Sequence, residues 1–426
     1  MPMSATWFNS FIMDEFISLK KYLYFIEFKE KILILRYYSF NLFIIFYLMK
    51  KFCFITFVLS FILTACTNES NENFGLFGHE TESEYLLTTE KAKELLLNFL
   101  AADITTKSGQ TSKTTVTESN IMYFTVSSTD DMSSIFENER VPVYEFTTQT
   151  NGKTGYSIVI ADTRIAKVLI SVEQGTSSDT LLIEPLKYYF RSIPEFIKND
   201  LDKYYQKEPY PRTDVTTRKL TVTTYYAFLP TLWNQYEPYN WACPLCYGSF
   251  NSPAGCVPIA FAQIMAYHRK PSSLNWTSIL SSPTVSTSSP NASAVASFIA
   301  EIGDKAQTDY DCFNGSGTLS TYLISTLSYF GYISDGYKTF SLSEVILSLS
   351  NSRPVFMGGF MGASNSYGHA WVCDGYKKND YGGGDVYEYL SINWGEGPYS
   401  NGFYYLDNPI SLNGFYYNLK IIPNIR

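Results

Sequence analysis

One boundary divides this chain before any element is placed. Residues 1–65 hold two apolar, aromatic blocks, and the second ends in Leu63-Thr64-Ala65-Cys66. Beyond Cys66 no apolar run approaches the roughly 20 residues that a membrane span needs, so the rest must fold around its own core. Met49-Lys50-Lys51, the apolar run Phe52–Leu63 and the small residues before a cysteine have the layout of a bacterial secretory signal. The ending resembles a lipobox, in which Cys66 becomes the lipidated first residue after cleavage. Residues 1–48 read as upstream sequence ahead of a start at Met49, because a signal core is not normally preceded by another hydrophobic block. One or two ordinary spans over 31–65 are the competing reading. The expected location is the bacterial cell envelope, periplasmic or surface, with membrane contact through an N-terminal lipid and release after further processing.

The 426 residues are a soft prior for about three domains. Hydrophobic residues make up 45% and charged residues only 17%, which excludes a disordered, solvating chain. Forty acidic against 32 basic side chains give a net charge of -8. No basic run interleaved with aromatics lies beyond residue 51, so nucleic acid is not an expected partner.

Residues 66–87 read as the lipidated cysteine and a polar tether. From Thr88 the sequence TTEKAKELLLNFL has the period of an amphipathic helix, with Thr89 as its cap. A Ser/Thr-rich loop over 105–119 follows, then strand-like runs at Ile121–Ser127, Val141–Phe146, Tyr156–Ala161 and Ala166–Val172, and a helical segment over Pro185–Tyr205. Residues 88–206 thus read as a small α+β domain in which nothing looks catalytic. Residues 207–219 carry two prolines and no apolar periodicity, which marks a linker. Residues 220–426 hold the remaining chemistry.

Subtraction isolates one cysteine. Of seven, Cys53 lies in the signal core and Cys66 is the lipid site, leaving Cys243, Cys246, Cys256, Cys312 and Cys373. Five is odd, and an unpaired thiol in an oxidising compartment stands out. Gly255-Cys256-Val257-Pro258 opens a segment with helical apolar spacing up to His268, and Pro258 suits a first helical turn. There the helix dipole favours a thiolate. A buried structural cysteine is the alternative reading of that position. His268 lies about 18 Å along the same helix, too far for proton transfer. His369 starts an apolar strand, His369–Cys373, followed by a glycine-rich turn over 377–385 and a second strand, Val386–Asn393. A symmetric hairpin centred near Tyr381 would set His369 opposite Asn393, whose amide could fix the imidazole, with Trp394 shielding the bond. Gln235, in a loop upstream, could supply an oxyanion donor beside the backbone N–H of Cys256. Cys243 and Cys246 form a CxxC, but no second CxxC or histidine pair completes a zinc site. No metal or cofactor is expected, and disulfides are, with pairing left open.

Gln235, Pro238-Tyr239-Asn240, Gly255-Cys256-Val257, Ala262–His268, Gly368-His369-Ala370, Ile392-Asn393-Trp394-Gly395 and Asn401-Gly402-Phe403-Tyr404 together resemble the streptopain family of secreted cysteine peptidases. The resemblance covers Trp233 to about Asp407. It implies an α+β fold: a papain-like catalytic domain with a helical part and an antiparallel β part, preceded by a small α+β inhibitory propeptide. It also assigns Cys256 as nucleophile, His369 as base and acid, Gln235 as oxyanion donor, and Asn393 with Trp394 as the support of the histidine. Ser316 and Gly368 would line the substrate cleft. Partners would be protein or peptide substrates and the chain's own propeptide, with activation cleavage near Arg218 or Lys219. Two departures stand out: Gly395-Glu396-Gly397-Pro398 replaces a glycine- and tryptophan-rich run, and Phe261 adds bulk after the nucleophile. A silent binding or inhibitor protein on the same fold, or a Cys-His amidase, are the alternative functions.

Overall fold

The computed structural model describes residues 85–101, 114–127, 138–180, 184–206, 220–226, 228–361, 367–406 and 417–426. The expected secretory signal, Cys66, nearly all of the expected tether and the whole expected linker, 207–219, lie outside them. Helix α1 (Thr89–Ala101) buries Ala92, Leu95, Leu96 and Phe99, the stripe its spacing demands. Its cap is one residue earlier than expected. Thr88 Oγ1 accepts the Lys91 N–H at 3.4 Å, while the Thr89 hydroxyl turns away to donate to Tyr144.

Strands β1 (Thr114–Val126), β2 (Glu139–Thr150), β3 (Lys153–Ile160) and β4 (Lys167–Val172) form an antiparallel meander. β1 begins inside the stretch expected to be loop. Its polar start is rich in β-branched threonine and pairs with the equally polar end of β2, where the Thr114 and Thr150 hydroxyls are 2.7 Å apart. The long helical segment is two helices, α2 (Glu184–Arg191) and α3 (Ile193–Gln206), with Pro194 in the opening turn of the second. After β5 (Thr221–Tyr226) come α4 (Cys256–His268), α5 (Ala292–Lys305) and α6 (Leu342–Ser350). Strands β6 (Val355–Met361), β7 (Tyr367–Asp380), β8 (Val386–Asn393), β9 (Gly402–Leu406) and β10 (Tyr417–Ile422) complete an α+β fold.

One eleven-stranded sheet runs β1-β2-β3-β4-β9-β8-β7-β6-β10, then the short strand Lys338–Thr339, with β5 added on β7. The join between the two stretches of chain is β4 against β9, where Gly402 faces Val172 and a Cβ on Gly402 would collide with the Ser171 backbone. Around this seam Phe99 packs on Tyr389 and Phe403, and Lys377 Nζ donates to the Phe99 carbonyl at 3.0 Å. The Lys167 ammonium lies between Asp200 and the Tyr405 hydroxyl.

Two cores flank β7. Trp371 and Cys373 belong to the one shared with residues 87–206; Ala370 and Val372 belong to the one built on α4. A strand buried on both faces reads as a continuous apolar run. Helix α4 is buried from Val257 to Ala266, so it is hydrophobic all round and lies at the centre of its core. There Phe261 meets the Phe356 ring at 4.9 Å, which gives the extra bulk its place. His268, at the far end of α4, bonds the Ile425 backbone and packs on Tyr267 and Tyr332.

The expected hairpin differs in register. β7 continues to Asp380, the loop is 381–385 with Gly382, Gly383 and Gly384 all at positive φ, and a bulge lies between Cys373 and Gly375. Asn393 therefore pairs with Val372, and His369 lies beyond the paired stretch. Lys377 and Asn379 read as turn residues because they are polar; both are buried strand positions, Lys377 beneath Phe99.

The expected four structural cysteines resolve into one bridge, Cys246–Cys312. Cys243 and Cys373 are free and buried, because Cys243 sits beside Tyr310 and Cys373 points from β7 into the core.

Candidate active site

Gly255 adopts φ +92°, and a Cβ there would press on Pro258, on Thr308 and on the carbonyl of Ser316. This tight turn delivers Cys256 as the first residue of α4. The backbone N–H groups of Ala370 and Val257 lie near the sulfur. These contacts lower the thiol pKa, but burial outweighs them and, with the nearby Glu396 carboxyl, pushes it up to about 11. The thiolate expected at the helix start is thus opposed by desolvation.

His369, on β7, is buried, and its ring stacks on Trp371 at 6.1 Å with Trp394 on another side at 6.4 Å. Its Nε2 lies 3.0 Å from the Trp394 carbonyl. A carbonyl only accepts, so this bond places the proton on Nε2 and the lone pair on Nδ1. Burial depresses the imidazole to about 4, opposed by the Trp394 carbonyl. Burial thus disfavours the charged form of each group, the thiolate of Cys256 and the imidazolium of His369.

Asn393 does different work from that expected of it. Its Nδ2 donates to the Thr231 carbonyl at 3.1 Å, and its Oδ1 accepts from Gln263 Nε2 and from the Gly395 N–H. It anchors the turn whose carbonyl, that of Trp394, meets the histidine. The Trp394 indole packs on Trp371 and Tyr404. Asn401 ties off the turn, accepting from the Trp394 N–H and donating to the Gly397 carbonyl.

Gln235 is held near the start of α4 because its carbonyl accepts the Ala254 N–H at 2.8 Å. Its side-chain Nε2 donates to Glu396 Oε1 at 2.7 Å. Ser316 turns its hydroxyl inward onto the Pro253 carbonyl at 2.6 Å, which leaves its backbone beside Gly255. Gly368 is exposed and faces the Phe360 ring across the β6–β7 ladder.

Three contributors escaped the sequence reading. Gln263 is fully buried in α4: its Oε1 accepts from the Trp233 N–H and the Thr231 hydroxyl, and its Nε2 reaches Asn393. One polar residue inside an otherwise apolar buried helix was its signal, since a buried amide needs partners. Trp371, two residues on from His369, lies on the same face of the strand. Glu396 was visible as a departure in the loop after Trp394, but its contact with Gln235 joins residues 161 positions apart.

The sequence profile of the Peptidase C10 family matches residues 233–404. The thiol protease/hemagglutinin PrtT of Porphyromonas gingivalis is 23% identical over 317 residues, covering 64% of this chain and 35% of that protein. Streptopain of Streptococcus pyogenes is 26% identical over 314 residues, covering 61% of this chain and 73% of its own. Among solved structures, a prointerpain A fragment from Prevotella intermedia superposes with a TM-score of 0.47 at 20% identity, over 71% of this chain and 98% of that one. Active interpain A from the same organism gives 0.38 at 22% identity, over 50% and 98%. Residues 233–404 thus match the peptidase C10 family profile, and over a longer stretch the chain is similar to cysteine peptidases of the streptopain type.

Proposed function

We propose that the chain is the precursor of an exported cysteine endopeptidase in which Cys256 and His369 carry out acyl transfer to water. One observation supports this most directly: the loop of Gln235, the start of α4 and strand β7 converge, through the Ala254–Gln235 bond and the Ala370 N–H at the Cys256 sulfur. The thiol proton passes to His369 Nδ1 as Sγ adds to the peptide carbonyl, so charge develops only as the bond forms. Gln235 Nε2 and the Cys256 backbone N–H receive the oxyanion. The Nδ1 proton then goes to the leaving amine as the C–N bond breaks. Water, deprotonated by His369, hydrolyses the thioester and regenerates the thiol. Ser316, through its backbone, and Gly368 flank the cleft.

Residues 88–206 act as the propeptide and residues 207–219 as the activation segment. The β4–β9 pairing and the Phe99–Lys377 contact supply an interface for holding the propeptide after cleavage. Residues 49–65 and Cys66 act as signal and lipid site, which places the precursor at the cell envelope. Casein hydrolysis by the full chain and by its processed product, together with N-terminal sequencing of that product, tests the proposal. A processed protein whose Cys256→Ala variant still cleaves casein, or whose Cys256 resists an epoxide thiol probe, sinks it.

A further inference from the structure

Glu396 is a half-buried carboxyl beside the proposed oxyanion donor. Its Oε1 accepts from Gln235 Nε2 at 2.7 Å, and its charge acts on the Cys256 thiol and on the Tyr236 phenol, raising both. Among the described residues no lysine, arginine or histidine pairs with it; burial and the Gln235 bond are what act on its carboxyl. The groups facing it are thus an amide, a thiol and a phenol, none of them a cation. The loop backbone is tied down next to Glu396, by Asn401 on the Gly397 carbonyl and by the Gly397 N–H on the Trp233 carbonyl.

An amide nitrogen carries two N–H groups. Glu396 takes one, and this orients the amide so that the other is available to a substrate oxyanion. A carboxylic acid performs this through its carbonyl oxygen at no electrostatic cost. A carboxylate holds the amide equally well, but places a full negative charge beside both the attacking sulfur and the forming oxyanion. In a low-dielectric site like charges at such range oppose each other strongly.

We propose that Glu396 is a positioning residue for Gln235 whose protonated form is the competent one, making this a peptidase tuned to the acid side of neutrality. The inference rests on the reading of Gln235 as oxyanion donor and Cys256 as nucleophile. The carboxyl is already poised for the role, since burial raises it to about 7.

Two readouts on the full chain and its processed product test this. The first is the pH profile of kcat and KM on a fluorogenic peptide for wild type, E396Q and E396A. Wild type loses kcat through an ionisation near pH 7. E396Q keeps the amide bond without the charge, so it exceeds wild type by about twofold at pH 7 and about tenfold at pH 8, as the fraction of acid form falls to about a tenth. The gain appears in kcat, with KM little moved. E396A loses the orientation as well, and is slower on the acid side with no ionisation near 7. The second readout needs no turnover: iodoacetamide alkylates Cys256 faster in E396Q than in wild type at pH 8. Superimposable pH profiles for wild type and E396Q, or equal alkylation rates, overturn the inference. An inactive wild type whose Cys256 still alkylates faster in E396Q would refute the peptidase reading while upholding the effect of Glu396 on the thiol.

Discussion

The two ends of β7 are built from different kinds of residue and buried by different neighbours. At the His369 end the strand is apolar and lies against α4, which fixes the sulfur beside the Ala370 N–H. At the Lys377–Asp380 end it is polar, yet Lys377 is fully buried beneath Phe99 and β5 runs alongside. The first end is closed by its own catalytic stretch. The second is closed by residues 88–206, which supply the ring and carbonyl that an ammonium needs in order to be buried. One face of the His369 end, with Ala370 and Val372, is thus packed by α4, whereas its other face and the far end lie in the core shared with a segment we propose is removed.

Five substitutions break or sharpen this contrast. The largest effect is expected at the catalytic end: Cys256→Ala and His369→Ala should each cut kcat/KM on a peptide substrate by at least roughly 10³-fold, as loss of a nucleophile or its base does. Far-ultraviolet circular dichroism should stay native. Next, Gln235→Ala should lower kcat by about 10²- to 10³-fold with KM little changed, the size expected of an oxyanion donor. A comparable rise in KM instead would mark Gln235 as a ground-state binding group.

Gln263→Leu tests whether one buried amide organises the whole catalytic end. It strands the Trp233 N–H and the Thr231 hydroxyl and removes a partner of Asn393. A loss of about 1–3 kcal/mol is expected for each buried group left unpaired, read as a lower denaturant midpoint together with a lower kcat. Unchanged kcat would separate this network from catalysis. The smallest effect should be at the far end: Lys377→Met keeps the fill but loses the bond to the Phe99 carbonyl, at about 1–3 kcal/mol. Limited proteolysis should then cut within 88–206 faster, while cleavage elsewhere follows the wild-type rate.

Much of the catalytic end was legible because local rules governed it. Glycine before Cys256 and proline after it announce a helix start, and the apolar run to Ala266 is the all-round burial of α4. His369 stood out because so few histidines were available and because it opens a strand. The Asn393 register was not legible. It depended on a bulge after Cys373, where Asp374 accepts from the Leu229 N–H and the Ser391 hydroxyl, and on a loop centred two residues past Tyr381. A one-residue bulge costs little locally and is stabilised by distant partners, so no short window of sequence reports it. Lys377 and Asn379 misled for the converse reason: polarity indicates a turn unless another part of the chain covers it.

The sequence by itself determined the helix that presents Cys256, the strand that presents His369 and the α+β class. These follow from backbone preferences and periodicity, which act over a few residues. Only the tertiary structure decided that the Trp394 carbonyl rather than the Asn393 amide meets the histidine. It also decided that Asn393 and Gln263 brace the turn, and that Glu396 reaches Gln235. Those outcomes turn on distances between segments far apart in the chain and on how much water each group loses. Desolvation, which raises the thiol and the Glu396 carboxyl and lowers the imidazole, arises only once the chain has closed around them.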